Sequence, residues 1–331
     1  MVNRNTHRRA LAAGALLAAL CGSTTAADIG CYASAQLAFV GCGYSTRDDY
    51  FVDRAKCLSD PGGDLTACLE TARETLGEGD EECTDILDAR LTLCESLNDA
   101  AHVPAFGTAY ADRFVDPLQI GVTVETNPYF PLTQGNTWDY EGTFTEDGEE
   151  VTENIHIEVL NRTKLIDGIT CVVVRDTVTV DDELVEDTDD WFAQDVDGNV
   201  WYCGEEVKDY ETFEDDVPPE PELVSNDGSF KAGRDGAEPG ISLPGIAEVG
   251  AIFRQENDIA NAEDIIEILS TTGSETAAAA SCDGNCMVTR DTSPLDPDVE
   301  ENKYYLPGVG KIVEIKVGTD QRVELIDYNV N

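Results

Sequence analysis

The chain has 331 residues, enough for two domains, and its 41% hydrophobic content supplies at least one proper core. Against 67 Asp and Glu stand 21 Lys and Arg, a formal charge of -46, so the chain repels phosphate backbones and anionic lipid surfaces and nucleic acid is excluded as a partner. The acids are spread along the sequence and not gathered into one block, the pattern of a solvated surface, with cation binding the sharper alternative.

Residues 1–27 read as an export signal. Arg4, His7, Arg8 and Arg9 precede an apolar run over 10–20, and "CGSTTAAD" then offers small residues for cleavage after Ala26 or Ala27. The Arg8, Arg9 pair resembles the start of a twin-arginine signal without the rest of that motif, and Leu20 stands where a lipoprotein signal needs a small residue before Cys21. No later segment is apolar for the ~20 residues that a membrane helix requires, so no membrane span is expected and the destination is periplasmic or extracellular. Cleavage removes Cys21 and leaves ten cysteines, an even number in an oxidising compartment, which favours disulfides over metal thiolates.

Residues 28–99 carry six cysteines, at 31, 42, 57, 68, 83 and 94, with separations of 11, 15, 11, 15 and 11. Such separations turn an ideal helix by about 20° and 60° beyond whole turns, so the cysteines of one helix share a face. Both a 26-residue repeat and one long helical hairpin fit this arithmetic. The breaker decides between them: "DPGGD" occurs once, while the equivalent positions 34–38 and 86–90 read "SAQLA" and "ILDAR". Reversal at Gly62 and Gly63 sets Cys57 against Cys68, Cys42 against Cys83 and Cys31 against Cys94, three rungs between helices over about 30–58 and 64–97. Asp64 is placed to cap the second helix. Gly41, Gly43, Gly77 and Gly79 weaken the helices and predict local breaks, which the staples offset at roughly 3 to 4 kcal/mol for one bond in the chain-entropy model.

Residues 100–125 show no sustained period and read as a linker. From 126 to 331 the pattern changes to ten short segments rich in Val, Ile, Tyr and Trp, from "TWDYEGTF" to "RVELIDY", separated by Gly, Asp and Asn turns. The predicted fold class is therefore α+β: a stapled antiparallel helical hairpin followed by a mainly antiparallel curved sheet, as a half-barrel, barrel or sandwich. Cys171 and Cys203 lie in separate predicted strands and form a fourth bond, and Cys282 and Cys286 close a small loop as a fifth. Residues 214–228, "EDDVPPEPELVSNDG", read as a mobile proline-rich loop, with docking as the sharper alternative.

The segments "NPYFPLTQGNTWDYEG", "DWFAQDVDGNVWYCGE", "AGRDGAEPGI" and "NKYYLPGVGKIVEI" resemble the recurring segments of a family of exported, uncharacterised bacterial proteins, over roughly 126–331. The resemblance implies export and a compact C-terminal domain and brings no activity with it. "PLTQGNTW" is also similar to the first strand of several periplasmic curved-sheet proteins.

Catalytic motifs are missing: there is no Gly-x-Ser-x-Gly elbow, no phosphate-binding glycine loop and no His-Glu-x-x-His. After cleavage only His102 and His156 remain, and His156 alternates with Ile155 and Ile157 in a strand, a structural context. Carboxylates are abundant enough that no pair stands out as a glycosidase pair. Asp195, Asp197 and Asn199 in "DVDGN" are candidate calcium ligands, since hard oxygens at alternate positions suit that ion, with "DTDDW" at 187–191 as a further donor run. Asp197 and Gly198 between aromatic strands are equally a hairpin signal. Trp191, Trp201 and Tyr202 pack in a core or line a concavity. These features point to a secreted, acidic, non-enzymatic binding or structural protein, with calcium as the one cofactor to consider. Its partner would be an apolar ligand held on the sheet's concave face, or an envelope or extracellular protein. The alternative is an extracellular hydrolase acting on glycans or phosphates through a carboxylate cluster, which carboxylates converging in a pocket would favour.

Overall fold

The computed structural model describes residues 30–331 apart from 147 and 214, and the expected export signal, residues 1–27, lies outside the described residues. The described chain divides into two compact units, one ending at His102 and one running from Val103 to Asn331. The expected class is the one observed: two stapled helices, then a large antiparallel sheet that nearly closes into a barrel.

Helix α1 (Cys31–Ser59) and helix α2 (Leu65–Ser96) reverse at Asp60, Pro61, Gly62 and Gly63. The Asp60 carboxylate accepts from Gly62 N at 2.9 Å, and Asp64 caps α2 by accepting from Thr66 N at 2.9 Å and Ala67 N at 3.2 Å. Three disulfides join the helices, Cys31–Cys94, Cys42–Cys83 and Cys57–Cys68, with Cα atoms 5.3, 5.8 and 5.7 Å apart. The local breaks expected at the glycines do not occur, and both helices run through them. At Gly79 a Cβ would stand 2.8 Å from Thr46 Cγ2, so the missing side chain there lets the helices approach beside the middle rung.

The second unit holds β1 (Thr137–Glu146), β2 (Glu149–Ile166), β3 (Ile169–Val180), β4 (Glu183–Gln194), β5 (Val200–Glu206), β6 (Asp209–Thr212), β7 (Pro221–Ser225) and β8 (Glu238–Leu243). It continues with β9 (Ile252–Arg254), β10 (Glu256–Asn257), β11 (Ile265–Thr276), β12 (Ser281–Ser293), β13 (Asp296–Leu306), β14 (Gly310–Lys316) and β15 (Arg322–Asn329). The sheet order is β10, β8, β5, β4, β3, β2, β1, β15, β14, β13, β12, β11, β9, with β6 and β7 a side ribbon on β4. Its two ends, β9 and β10, are joined in sequence by Gln255 alone, and this continuity draws the sheet round. Gln255 Nε2 donates to Ser242 O of β8 at 3.0 Å, and Gly240 is required because a Cβ there would lie 2.0 Å from Arg254 O.

Strand alternation sorts side chains into two cores. Val172, Val174, Phe192 and Tyr202 face inward and meet side chains from β1, β11, β12, β14 and β15. Cys171, Val173, Trp191, Trp201 and Cys203 face outward. The Cys171–Cys203 bond links β3 to β5 on either side of β4, and Cys282–Cys286 closes a turn within β12.

The segment expected as a linker is, from Val103 on, part of the β unit. Phe106 packs into the outer core and Ile120 into the inner one, because its irregularly spaced apolar residues meet the sheet and not one another. The expected loop 214–228 contributes β7, paired with β6. Strand β11 is absent from the ten segments read in the sequence: its first half, "IIEIL", places apolar residues on both faces with Glu267 among them, so it lacks the polar-apolar alternation of a half-buried strand.

Candidate functional site

Toward one end of the barrel the inward rows change from apolar to acidic. On β3 the face of Val172 and Val174 continues into Asp176. On β4 the face of Phe192 carries Asp190, Thr188 and Glu186. A register shift between Trp191 and Phe192 against β5 lets Tyr202 and Glu205, three apart in sequence, both face the same side. Glu256 of β10, the loop residues Glu263 and Asp264, Ser293 of β12 and Lys303 of β13 complete the wall of a cavity of about 650 Å³. Seven carboxylates thus share it with one ammonium.

Internal partners satisfy only part of this set. Tyr202 Oη donates to Asp190, Thr188 Oγ1 donates to Glu186 at 2.7 Å, and Ala260 N donates to Glu263 at 2.6 Å. Asp176 Oδ1 is buried without any hydrogen-bond partner. Burial pushes the Asp176 carboxyl up to about 8, helped by the charge of Asp190. Burial likewise pushes Glu205 up to about 8, against the hydrogen bond from Tyr202. Asp190, Glu256 and Asp264 are raised for the same first cause, with Glu205 acting on Asp190 and Asp264 on Glu256. Like charges in a low-dielectric cavity cannot all ionise at once, so several of these carboxyls hold protons near neutral pH.

Lys303 lowers the pKa of Asp264 but is otherwise committed to carboxylates outside the group. It sits 3.1 Å from Glu301, 3.2 Å from Asp291 and 3.7 Å from Glu314. Burial alone would lower its pKa, and Asp291, Glu314 and Glu301 carry it well above the ordinary lysine value. Burial would raise Glu314, but Lys311 at 2.6 Å and Lys303 hold it down to about 2.

The sequence candidates fall elsewhere. The Asp195 carboxylate is saturated by the protein: Oδ1 accepts from Asp197 N and Asn199 N, and Oδ2 from Asn199 Nδ2 and Trp201 Nε1, all at 2.9 Å. Asp197 Oδ2 is 2.7 Å from Arg113, and Asn199 Oδ1 accepts from Gly245 N at 2.9 Å. These three residues build a turn, and no group of three or more His, Cys, Asp or Glu among the described residues is arranged to hold a metal ion. In "DTDDW", Asp187 and Asp189 point outward to Arg175 and Arg162 at 2.7 and 2.6 Å, and of its three carboxylates Asp190 alone reaches the cavity, beside Thr188. His156 pairs with Asp139 at 2.6 Å on the surface. Trp191 and Trp201 pack in the outer core and Tyr202 in the inner one. The sequence signal for the cavity was Asp176 itself, a carboxylate on the inward row of an apolar strand.

Fold and cavity together define a barrel-like protein with an acidic interior. No protein-family model matches the chain, and no curated protein matches it. Among solved structures it is similar to a beta-barrel-like protein of domain of unknown function DUF1849 from Brucella abortus, at 10% identity over 60% of this chain and 98% of that chain, with a TM-score of 0.28. No described helix is long and apolar enough to cross a membrane.

Proposed function

We propose that the protein is an exported binding protein whose β unit holds a cationic ligand, an organic amine or guanidinium, inside the barrel. One observation carries the reading: seven carboxylates line a cavity of about 650 Å³ and Asp176 Oδ1 is buried there without a partner. A cation supplies the missing partner and relieves the repulsion that keeps the carboxyls protonated. The volume suits a small organic molecule better than a bare ion, and pockets of roughly 300 to 1,000 Å³ are the usual size for such ligands. The apolar ligand expected from the sequence does not suit a wall of this polarity. Five disulfides among the described residues support an oxidising compartment.

Calorimetric titration with spermine tests the proposal. The wild type binds one equivalent tightly, and Asp176→Asn with Asp190→Asn abolishes that phase. If the double variant titrates like the wild type, spermine is coating the outer acidic surface and the proposal fails. A second reading, glycan hydrolysis, draws on the same raised carboxyls, because a general acid must hold its proton near neutral pH. Release of reducing ends from oligosaccharides that Glu205→Gln abolishes would favour it over binding.

A further inference from the structure

The outer face of the same strands carries the opposite chemistry. Eight lysines and arginines of the β unit are ion-paired to carboxylates. Lys164, Lys231 and Arg234 are not, in a chain with 67 acidic residues, and the three line one pocket of about 610 Å³. A chain this acidic offers carboxylates everywhere, so three cations gathered without an ion pair have been placed together by the backbone.

The placement is visible in the fold. Lys164 of β2 lies opposite Cys171 of β3, and its Nζ stands 3.3 Å from the centre of the Trp191 ring. Lys231 bridges to Gly204 of β5 and brings its Nζ to 5.6 Å from the same ring. Gly204 permits this: its φ is 129°, and a Cβ there would lie 2.3 Å from Phe230 O. The chain then turns tightly, with Arg234 N donating to Lys231 O at 3.0 Å and Gly233 N to Ala237 O at 2.9 Å, which returns the exposed Arg234 toward Lys231. Trp191, 4% exposed and packed on the outer core, is a fixed platform beneath the two ammonium groups. Burial lowers the pKa of both lysines and repulsion among the three cations adds to this, against the attraction of Glu206 on both and of Asp189 on Lys164.

Glu205, Glu206, Asp235 and Asp258 also line the pocket, and none lies within ion-pair distance of the three cations. Glu206 lies 3.9 Å from Lys208, Asp258 accepts from Asn261 Nδ2 at 3.0 Å, and Glu205 is held largely protonated. Asp235 is exposed beside Arg234.

We propose that this outer pocket is a binding site for an oxyanion, the phosphate, sulfate or carboxylate group of a ligand, held by Lys164, Lys231 and Arg234. A multivalent oxyanion presents several acceptors to three converging donors and adds to the attraction that Glu206 exerts on both lysines and Asp189 on Lys164. The site shares the Glu205 wall with the acidic cavity but none of the three cations that would hold the anion.

The test is calorimetric titration of the full protein with inorganic pyrophosphate, sulfate and citrate in parallel, at low salt. At least one binds at one equivalent with Kd below about 1 mM, and the preferred anion identifies the group. Lys231→Met, which keeps the apolar stem, and Arg234→Gln, on an exposed turn, each weaken it about tenfold with unfolding temperature unchanged. Lys316→Met, at another unpaired base of the β unit, leaves affinity within about twofold. The proposal is overturned if none of the three anions binds at about 10 mM, or if Lys316→Met weakens binding as much as Lys231→Met.

Discussion

Asp176→Asn removes a charge from the cavity while keeping side-chain volume, so its effect reads the electrostatics alone. In the folded protein the Asp176 carboxyl is pushed up to about 8. In the unfolded chain it titrates near about 3.9. Between those values the unfolded state binds fewer protons than the folded state, so stability falls as pH rises, by at most about 1.4 kcal/mol per pH unit from this group. The contribution is absent below about pH 4 and complete by about pH 8. Some of the side chain reaches solvent, and halving the slope on that account leaves about 1.4 kcal/mol lost between pH 5 and pH 7. For a unit of this size that corresponds to about 3 to 6 °C in Tm. Thermal unfolding followed by tryptophan emission, with disulfides intact, should show the wild type losing stability across this window and Asp176→Asn losing markedly less. Adding Glu205→Gln flattens the profile further, since Glu205 shifts in the same direction. A variant whose pH profile parallels the wild type would show that Asp176 is not held protonated, and the electrostatic picture of the cavity would be wrong.

Lys303→Met strands Asp291, Glu301 and Glu314 without their shared cation and should cost about 3 to 5 kcal/mol in urea unfolding. Glu314, held down to about 2, contributes stability that is fully present above about pH 4.5 and lost as pH falls toward 2; Glu314→Gln lacks that acid limb. Asp195→Ala removes the acceptor of four hydrogen bonds and should cost about 2 to 4 kcal/mol with a change in Trp201 emission, whereas a chelator should leave the wild-type Tm unchanged. Cys31→Ser with Cys94→Ser opens the outermost rung of the hairpin and should lower its stability by about 3 kcal/mol, read by far-ultraviolet circular dichroism in urea.

The hairpin was legible because its information is local: one Pro-Gly-Gly break fixes the reversal, and cysteine spacing then leaves one nested pairing. Strand-rich patterning likewise announced an antiparallel sheet from "TWDYEGTF" onward. Closure into a barrel was not announced, since it depends on Gln255 joining the two ends of the sheet, a fact of topology. The cavity was hidden for a related reason. Asp176, Asp190, Glu205, Glu256 and Asp264 come from five separate segments, and in a chain with 67 acids none stands out by type. Alternation held a partial signal: Asp190 differs from Asp187 and Asp189 only in facing inward, as Asp176 differs from its neighbour Arg175. The outer cations were hidden in the same way, because Lys164 meets Lys231 and Arg234 only through the pairing of β2, β3, β4 and β5 and the bridge at Gly204.

The claim that the acidic cavity takes a cation is tested most directly by counting protons. Spermine should be titrated at pH 7 by calorimetry in two buffers of different protonation enthalpy. Ionised carboxylates bind it and protonated ones do not, so occupancy of the cavity should release about one proton from each of Asp176 and Glu205. Asp176→Asn with Glu205→Gln should lose that release and bind more weakly. Spermine heat that is independent of the buffer in the wild type, or proton release that survives in the double variant, would contradict a cation site inside the barrel.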